Sequence, residues 1–257
     1  MLGAIIGDVV GSRFEKDNIK IKDFDLFHSA CRFTDDTVLT VAIADAILQE
    51  KSYEEMVKKW GRRYPLAGYG KTFKKWLAGM IKEPYNSWGN GSAMRVSPVA
   101  YAFDSLETVL SEAQKSAEIT HNHPEGIKGA QAIAAALYLI RKGWTKDRIK
   151  VYVEETFDYN LSRAIDEIRP AYEFDVSCQG SVPEAIIAFL EAKSFEDTIR
   201  TAVSIGGDTD TIASMAGALA EAFYQEIPGE IVEKTLTFVP DRIKLVLTNF
   251  QEKFITI

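Results

Sequence analysis

Residues 124–143, PEGIKGAQAIAAALYLIRKG, decide the fold class. Pro124 stands where a helix begins, because its missing N–H is one of the amides that a first turn leaves unbonded anyway. Gly143 follows Arg141 and Lys142, and a glycine behind a basic last turn is a stop signal. The stretch between reads as one long helix. Outward from it, apolar residues recur at intervals of three and four in nearly every segment, while two-residue alternation appears only weakly from Ile19 to Leu26. The pattern predicts an all-α protein. Helix starts are marked at Ser52 with Glu55 and at Ser181 with Glu184, pairs that fit the capping box. Gly3, Gly7 and Gly11 repeat every four residues, so the first helix carries a strip without side chains. That strip suits close helix packing, with a ligand role as the other reading. No internal repeat, low-complexity tract or linker interrupts the chain, and the one long polar stretch near a motif runs from Arg13 to Asp25. The expectation is a single domain over residues 1–257 with a mobile loop after the first helix.

Hydrophobic residues make up 46% of the chain and charged residues 26%, the balance of a sequence that buries a core. The formal charge of -7 argues against broad, nonspecific nucleic-acid binding, which needs a basic surface to displace counterions. An anionic ligand would have to be held locally, by backbone amides or single arginines. No apolar run reaches the ~18 residues of a bilayer span, so no membrane association is expected. The stretch Leu2 to Val10 is broken by Asp8 and lacks a basic leader, which makes the cytoplasm the expected location. Cys31 and Cys178 give neither a disulfide framework nor metal-finger spacing and read as free thiols.

Chemistry concentrates in four short motifs. Thr34-Asp35-Asp36-Thr37 stands directly before the apolar run Val38 to Ala44, and Asp208-Thr209-Asp210-Thr211 stands before the helix predicted from Ile212 to Tyr224. Either cluster alone could be an N-cap, in which Asp and Thr satisfy first-turn amides and complement the helix dipole. Two such clusters meeting in space would place several like charges together and require a counter-cation. Carboxylate and hydroxyl oxygens without His or Cys select a hard ion, here magnesium with manganese as a substitute. Gly89-Asn90-Gly91-Ser92-Ala93-Met94-Arg95 is a turn whose amides could hold phosphate, or an ordinary tight turn, since it matches no nucleotide-loop fingerprint. Thr120-His121-Asn122-His123-Pro124 places two histidines ahead of the long helix, where capping is the simpler role than metal binding.

Taken together, these motifs resemble the ADP-ribosylglycohydrolase family, which includes the dinitrogenase reductase-activating glycohydrolases. Gly3 to Gly11 is similar to its opening glycine and aspartate motif, Thr34 to Thr37 to its first metal motif, and Gly89 to Arg95 to its substrate loop. Thr120-His121 and Gly206 to Thr211 complete the series in the family's order. The resemblance implies a single-domain orthogonal multi-helix bundle with two Mg2+ ions held by Thr34, Asp35, Asp36, Asp208, Asp210 and Thr211, with Asp210 as the bridge. It implies that Gly89, Asn90, Gly91, Ser92, Met94, Arg95 and His121 surround the diphosphate and distal ribose. Asp36 or Glu15 would handle the proton, Glu15 being similar in place to a glutamate on a mobile loop in some members. The implied reaction cleaves the bond between the distal ribose and an ADP-ribosylated protein or other acceptor. Alternatives are a noncatalytic ADP-ribose reader or structural relative that kept the fold without turnover, and a phosphohydrolase acting on nucleotide diphosphates, since two-metal carboxylate sites also serve phosphoryl transfer. The acceptor linkage, whether arginine, serine, acetyl or nucleobase, stays open, because Tyr172 to Pro183 matches no branch of known preference.

Overall fold

The computed structural model describes residues 1–255, so the last two positions of the expected domain lie outside the described residues. Fifteen helices and no strand occur among the described residues. They are α1 (Leu2–Gly11), α2 (Asp35–Gln49), α3 (Tyr53–Arg63), α4 (Lys71–Leu77), α5 (Gly91–Met94), α6 (Ser97–Ala102), α7 (Leu106–Glu118) and α8 (Pro124–Arg141). There follow α9 (Lys146–Phe157), α10 (Ile165–Ile168), α11 (Cys178–Glu191), α12 (Phe195–Ile205), α13 (Thr209–Tyr224), α14 (Gly229–Leu236) and α15 (Asp241–Phe254). The weak alternation from Ile19 to Leu26 forms no strand; a single isolated bridge joins Gly89 and Ser177.

The long helix lies where its end signals place it. His123 caps α8 by accepting the Glu125 amide, and Gly143 takes the left-handed conformation just beyond its end, at φ 81°. Ala132 to Ile140 are buried all round, as in a helix enclosed by neighbours rather than lying on a surface. Helices α2 and α13 are enclosed in the same way, over residues 36–46 and 209–220. Helix α1 packs on α13 in antiparallel register, with Gly3 against Gly217, Gly7 against Ala213 and Gly11 against Thr209. A Cβ at Gly7 would lie 2.0 Å from the Ala213 carbonyl oxygen, so the two backbones touch directly. The glycine strip therefore serves packing. Antiparallel register also brings the C-terminal end of α1 to the N-terminal end of α13, and this is where the acidic motifs meet.

Two expectations are corrected. Helix α11 starts at Ser177, which accepts the Gly180 amide at 2.9 Å, and not at Ser181. Tertiary partners have taken the expected capping pair: the Ser181 hydroxyl donates to the Asp175 carbonyl and accepts from Asn90, and Glu184 pairs with Arg163 at 2.7 Å. The Ser52 cap forms as expected, accepting the Glu55 amide. The loop after α1 is fastened along its length. Asn18 donates to the Gly207 carbonyl, Lys20 donates to the carbonyls of Tyr172 and Ile205, and Arg200 donates to that of Phe24. Both cysteines are free and buried, and no described helix is long and apolar enough to cross a membrane.

Candidate active site

Asp8 organises the acidic end of the molecule, and the sequence motifs had not singled it out for the site. It is the one charged residue in α1 and is fully buried. Its carboxylate accepts the Thr34 and Thr37 amides at 2.9 and 3.0 Å, the Thr34 hydroxyl at 2.7 Å, and the Thr37 hydroxyl. An acid on α1 thus satisfies orphan amides at the start of α2, while Thr34 itself caps Asp36. The available signal was a lone carboxylate inside an otherwise apolar helix, which burial tolerates only when it is fully hydrogen-bonded.

Fixing α2 in this way brings Asp36 to Asp8 and to Asp210 of α13. One carboxylate oxygen from each lies within 4.8 Å of the others, and all three residues are buried. Thr211 donates to Asp36 Oδ2 at 3.2 Å and Thr34 Oγ1 lies 3.4 Å from the same oxygen, whereas Asp36 Oδ1 is buried without any partner. Asp35 and Asp208 stand just outside the trio. Among the described residues no lysine or arginine forms an ion pair with any of these five acids. Burial first, and the neighbouring Asp8 charge second, raise the Asp35 carboxyl to about 8. Burial and then the charges of Asp8 and Asp35 push Asp36 up; burial and then the charges of Asp208 and Asp36 do so for Asp210. An all-oxygen cluster with an orphaned buried oxygen and no protein cation fits a hard divalent ion, and the trio could hold one. Glu15 sits at the rim, half-buried, 3.5 Å from Arg32. Its charge adds to the upward push on Asp35, Asp208 and Asp210.

The second cluster is more than a helix cap. Asp208 occupies the N-cap position of α13, yet its carboxylate caps no amide of that helix. It accepts the Asn90 side-chain amide at 2.7 Å, and Asn90 also donates to Ser181. This bond ties the acidic centre to the Gly89 to Arg95 turn, whose Met94 lies against Thr211 and Thr40. His121 stands over the same turn: a Cβ on Gly91 would be 3.1 Å from its Nε2.

Several expected ligand contacts are already committed within the protein. The amides of Gly89 and Asn90 donate to Ser87 Oγ and the Val176 carbonyl, so neither is available to a phosphate. The Ser92 hydroxyl donates to the Gly126 carbonyl at 2.6 Å. Arg95 is fully buried behind the turn, donating to the Ser116 carbonyl and the Thr120 hydroxyl, so its guanidinium does not line the surface a ligand would meet. The expected site residues thus share one region, with Ser92 and Arg95 forming its support.

Comparison with known proteins finds relatives over most of the chain. Human ADP-ribosylhydrolase ARH3 is 28% identical to the chain, over 87% of this chain and 84% of its own length. ADP-ribosylarginine hydrolase Tri1 of Pseudomonas putida (strain GB-1) is also 28% identical, covering 91% of this chain and 72% of that protein. A solved structure described as an ADP-ribosylglycohydrolase-related protein complex superposes with a TM-score of 0.73 over 98% of this chain and 96% of the other, at 23% identity, and so shares the fold. The model of the ADP-ribosylglycohydrolase family matches residues 1–254, and the chain belongs to that family.

Proposed function

We propose that the chain is a magnesium-dependent hydrolase that cleaves the glycosidic bond between the distal ribose of ADP-ribose and a modified acceptor, releasing ADP-ribose. One observation carries the reading: a buried carboxylate trio without a protein counter-charge is tied through Asp208 and Asn90 to a turn beneath His121. The family match supports the reaction class.

Thr34, Asp35, Asp36, Asp208, Asp210 and Thr211 would hold two Mg2+ ions, with Mn2+ as a substitute. When bound, such ions fix ribose hydroxyls and lower the pKa of a water. The chain's own residues do the rest. Asp8, hydrogen-bonded to the first turn of α2, keeps Thr34 in place, and Asn90 keeps Asp208 turned toward the centre. Positive charge developing at the anomeric carbon in an oxocarbenium-like transition state is stabilised by the surrounding carboxylates. Asp36 is enclosed and serves the centre. Glu15, at the solvent-facing rim, can take the proton of the attacking water and return it to the acceptor atom that leaves the anomeric carbon.

The test is a panel of acceptors carrying ADP-ribose through arginine, serine, acetyl or nucleobase linkages, incubated with magnesium and then with chelator. Metal-dependent release of intact ADP-ribose from at least one member is expected. Binding without release would make the protein a reader, and AMP or phosphate as product would make it a phosphohydrolase. Glu15→Ala should fold with an unchanged melting temperature and lose turnover; full activity in that variant would remove Glu15 from the chemistry.

A further inference from the structure

Behind the Gly89 to Gly91 turn lies a buried polar chain that touches none of the acidic centre. Arg95 follows α5 with its guanidinium fully buried, and no carboxylate pairs with it among the described residues. Its Nη2 donates to the Ser116 carbonyl at 2.8 Å and to Thr120 Oγ1 at 3.0 Å. Thr120 Oγ1 in turn lies 2.7 Å from His121 Nδ1. The direction of these bonds follows from valence. A guanidinium has no lone pair to offer, so the Thr120 hydroxyl accepts from Arg95 and has a single proton left to give. Arg95 can only donate to this hydroxyl, so the acceptor beside the threonine proton is His121 Nδ1.

Electrostatics favours the same direction. A bare Nδ1 presents a lone pair toward the Arg95 cation, whereas an Nδ1–H would point a positive dipole at it. Burial, and then the Arg95 charge, hold the imidazole well below its usual pKa and so keep it neutral. With Nδ1 accepting, the ring proton must sit on Nε2. That nitrogen has no protein partner among the described residues and stands over the turn, 3.1 Å from where a Cβ on Gly91 would be.

We infer that Arg95 and Thr120 form a relay that locks neutral His121 as the Nε2–H tautomer. His121 is then a standing hydrogen-bond donor to an anionic oxygen lying across the Gly89 to Gly91 turn. The ligand oxygen, taken as a phosphate oxygen of the ADP-ribose diphosphate, rests on the function proposed above; the tautomer does not. Arg95 and Thr120 are positioning residues in this scheme: they act through His121 and meet no ligand. A fixed donor recognises phosphate without the delay or cost of choosing a tautomer on binding.

The experiment is nitrogen-15 NMR of the full chain labelled at histidine. There are only three histidines, His28, His121 and His123, and His121→Gln assigns the signal. In ligand-free protein near neutral pH, His121 should show a pyrrole-type Nε2 and a pyridine-type Nδ1. A protonated Nδ1, or an imidazolium at that pH, would overturn the relay, whatever the protein's activity. Thr120→Val removes the hydroxyl at constant shape and should mix the tautomers and weaken ADP-ribose binding about tenfold, the loss of one hydrogen bond of ~1.4 kcal/mol. Thr120→Ser should restore both signals. Wild-type binding by a Thr120→Val protein with mixed tautomers would refute the positioning role. The correct tautomer in a protein that binds no ADP-ribose would retain the lock and overturn its assignment to phosphate.

Discussion

Asp36 Oδ1 is a buried carboxylate oxygen with no donor, in a cluster where each acid raises the pKa of the next. Two consequences at this scale can be measured. The first separates a metal site from a pair of caps. If Asp210 only capped α13, Asp210→Ala would cost about 0.5 to 2 kcal/mol with or without magnesium. In a metal site, removing one of several repelling carboxylates leaves the metal-free protein as stable or more so, while the gain from binding disappears. Asp210→Ala should therefore lose hydrolysis and most of the magnesium-induced thermal shift, with a melting temperature in chelator at or above wild type. Equal destabilisation in both conditions, with retained turnover, would reduce the cluster to caps. The second consequence is a pH dependence. Asp35 ionises at about 8 in the folded chain against an ordinary 3.8, so between these values the folded state holds more protons than the unfolded one. Stability in chelator should then fall as pH rises through that window, the opposite of a salt-bridged acid. Magnesium binding needs the ionised acids, so the magnesium-induced shift should grow over the same range. Calorimetry at about pH 5, 6, 7 and 8 reads both slopes, and Asp35→Asn should flatten the first; a metal-free melting temperature that climbs toward pH 8 would contradict the argument.

The element that sets the site's geometry is the α1–α13 pair. Gly7 meets the α13 backbone next to Asp8, so a methyl group there cannot be absorbed by rotating a flexible side chain. Gly7→Ala should push the helices apart and destabilise by about 1 to 3 kcal/mol or more, the usual cost of overpacking. Because Asp8 and Asp210 lie on the separated surfaces, magnesium affinity should fall as well. Urea midpoints and a magnesium titration test this; a Gly7→Ala chain with wild-type midpoint and affinity would show that the contact is loose. The strip of glycines was legible in the sequence, as were α8 and α13, because an apolar run with end signals is local information. Thr34 to Thr37 and Asp208 to Thr211 were legible for the same reason. What escaped was set by distant partners. Nothing near Ser181 says that Asn90 will claim its hydroxyl and move the helix start to Ser177, and nothing near Arg95 says that Thr120 will receive it in the interior. Asp8 looked like an interruption until Thr34 and Thr37 arrived from the next helix.

On the scale of the whole molecule, size and chemistry nominate opposite ends for the ligand. A cavity of about 640 Å3 lies at the far end of the α1–α13 pair, between Leu2, Tyr101, Arg141, Glu221, Leu247 and Ile255. Its volume is within the range of small-molecule sites. The acidic end has the buried trio, the Asn90–Asp208 bond and the turn under His121, contributed by residues as far apart as 8 and 211. A ligand joining those segments binds only when α1, α2, α13 and the turn are assembled, so it stabilises the molecule by RT ln(1 + [L]/Kd), or about 2.7 kcal/mol at a hundredfold excess. For a chain of this length that corresponds to a rise of roughly 5 to 10 °C in melting temperature. The expectation is that ADP-ribose gives this shift with magnesium and much less in chelator, and that Asp210→Ala abolishes the difference. Hydrogen exchange should locate it: protection should rise at the C-terminal turn of α1, the first turns of α2 and α13 and the Gly89 to Arg95 turn. Amides of α14 and α15, which wall the cavity at the far end, should be unaffected. Protection confined to α14 and α15, with a thermal shift indifferent to chelator, would place the ligand in the cavity at the far end and leave the acidic end without it.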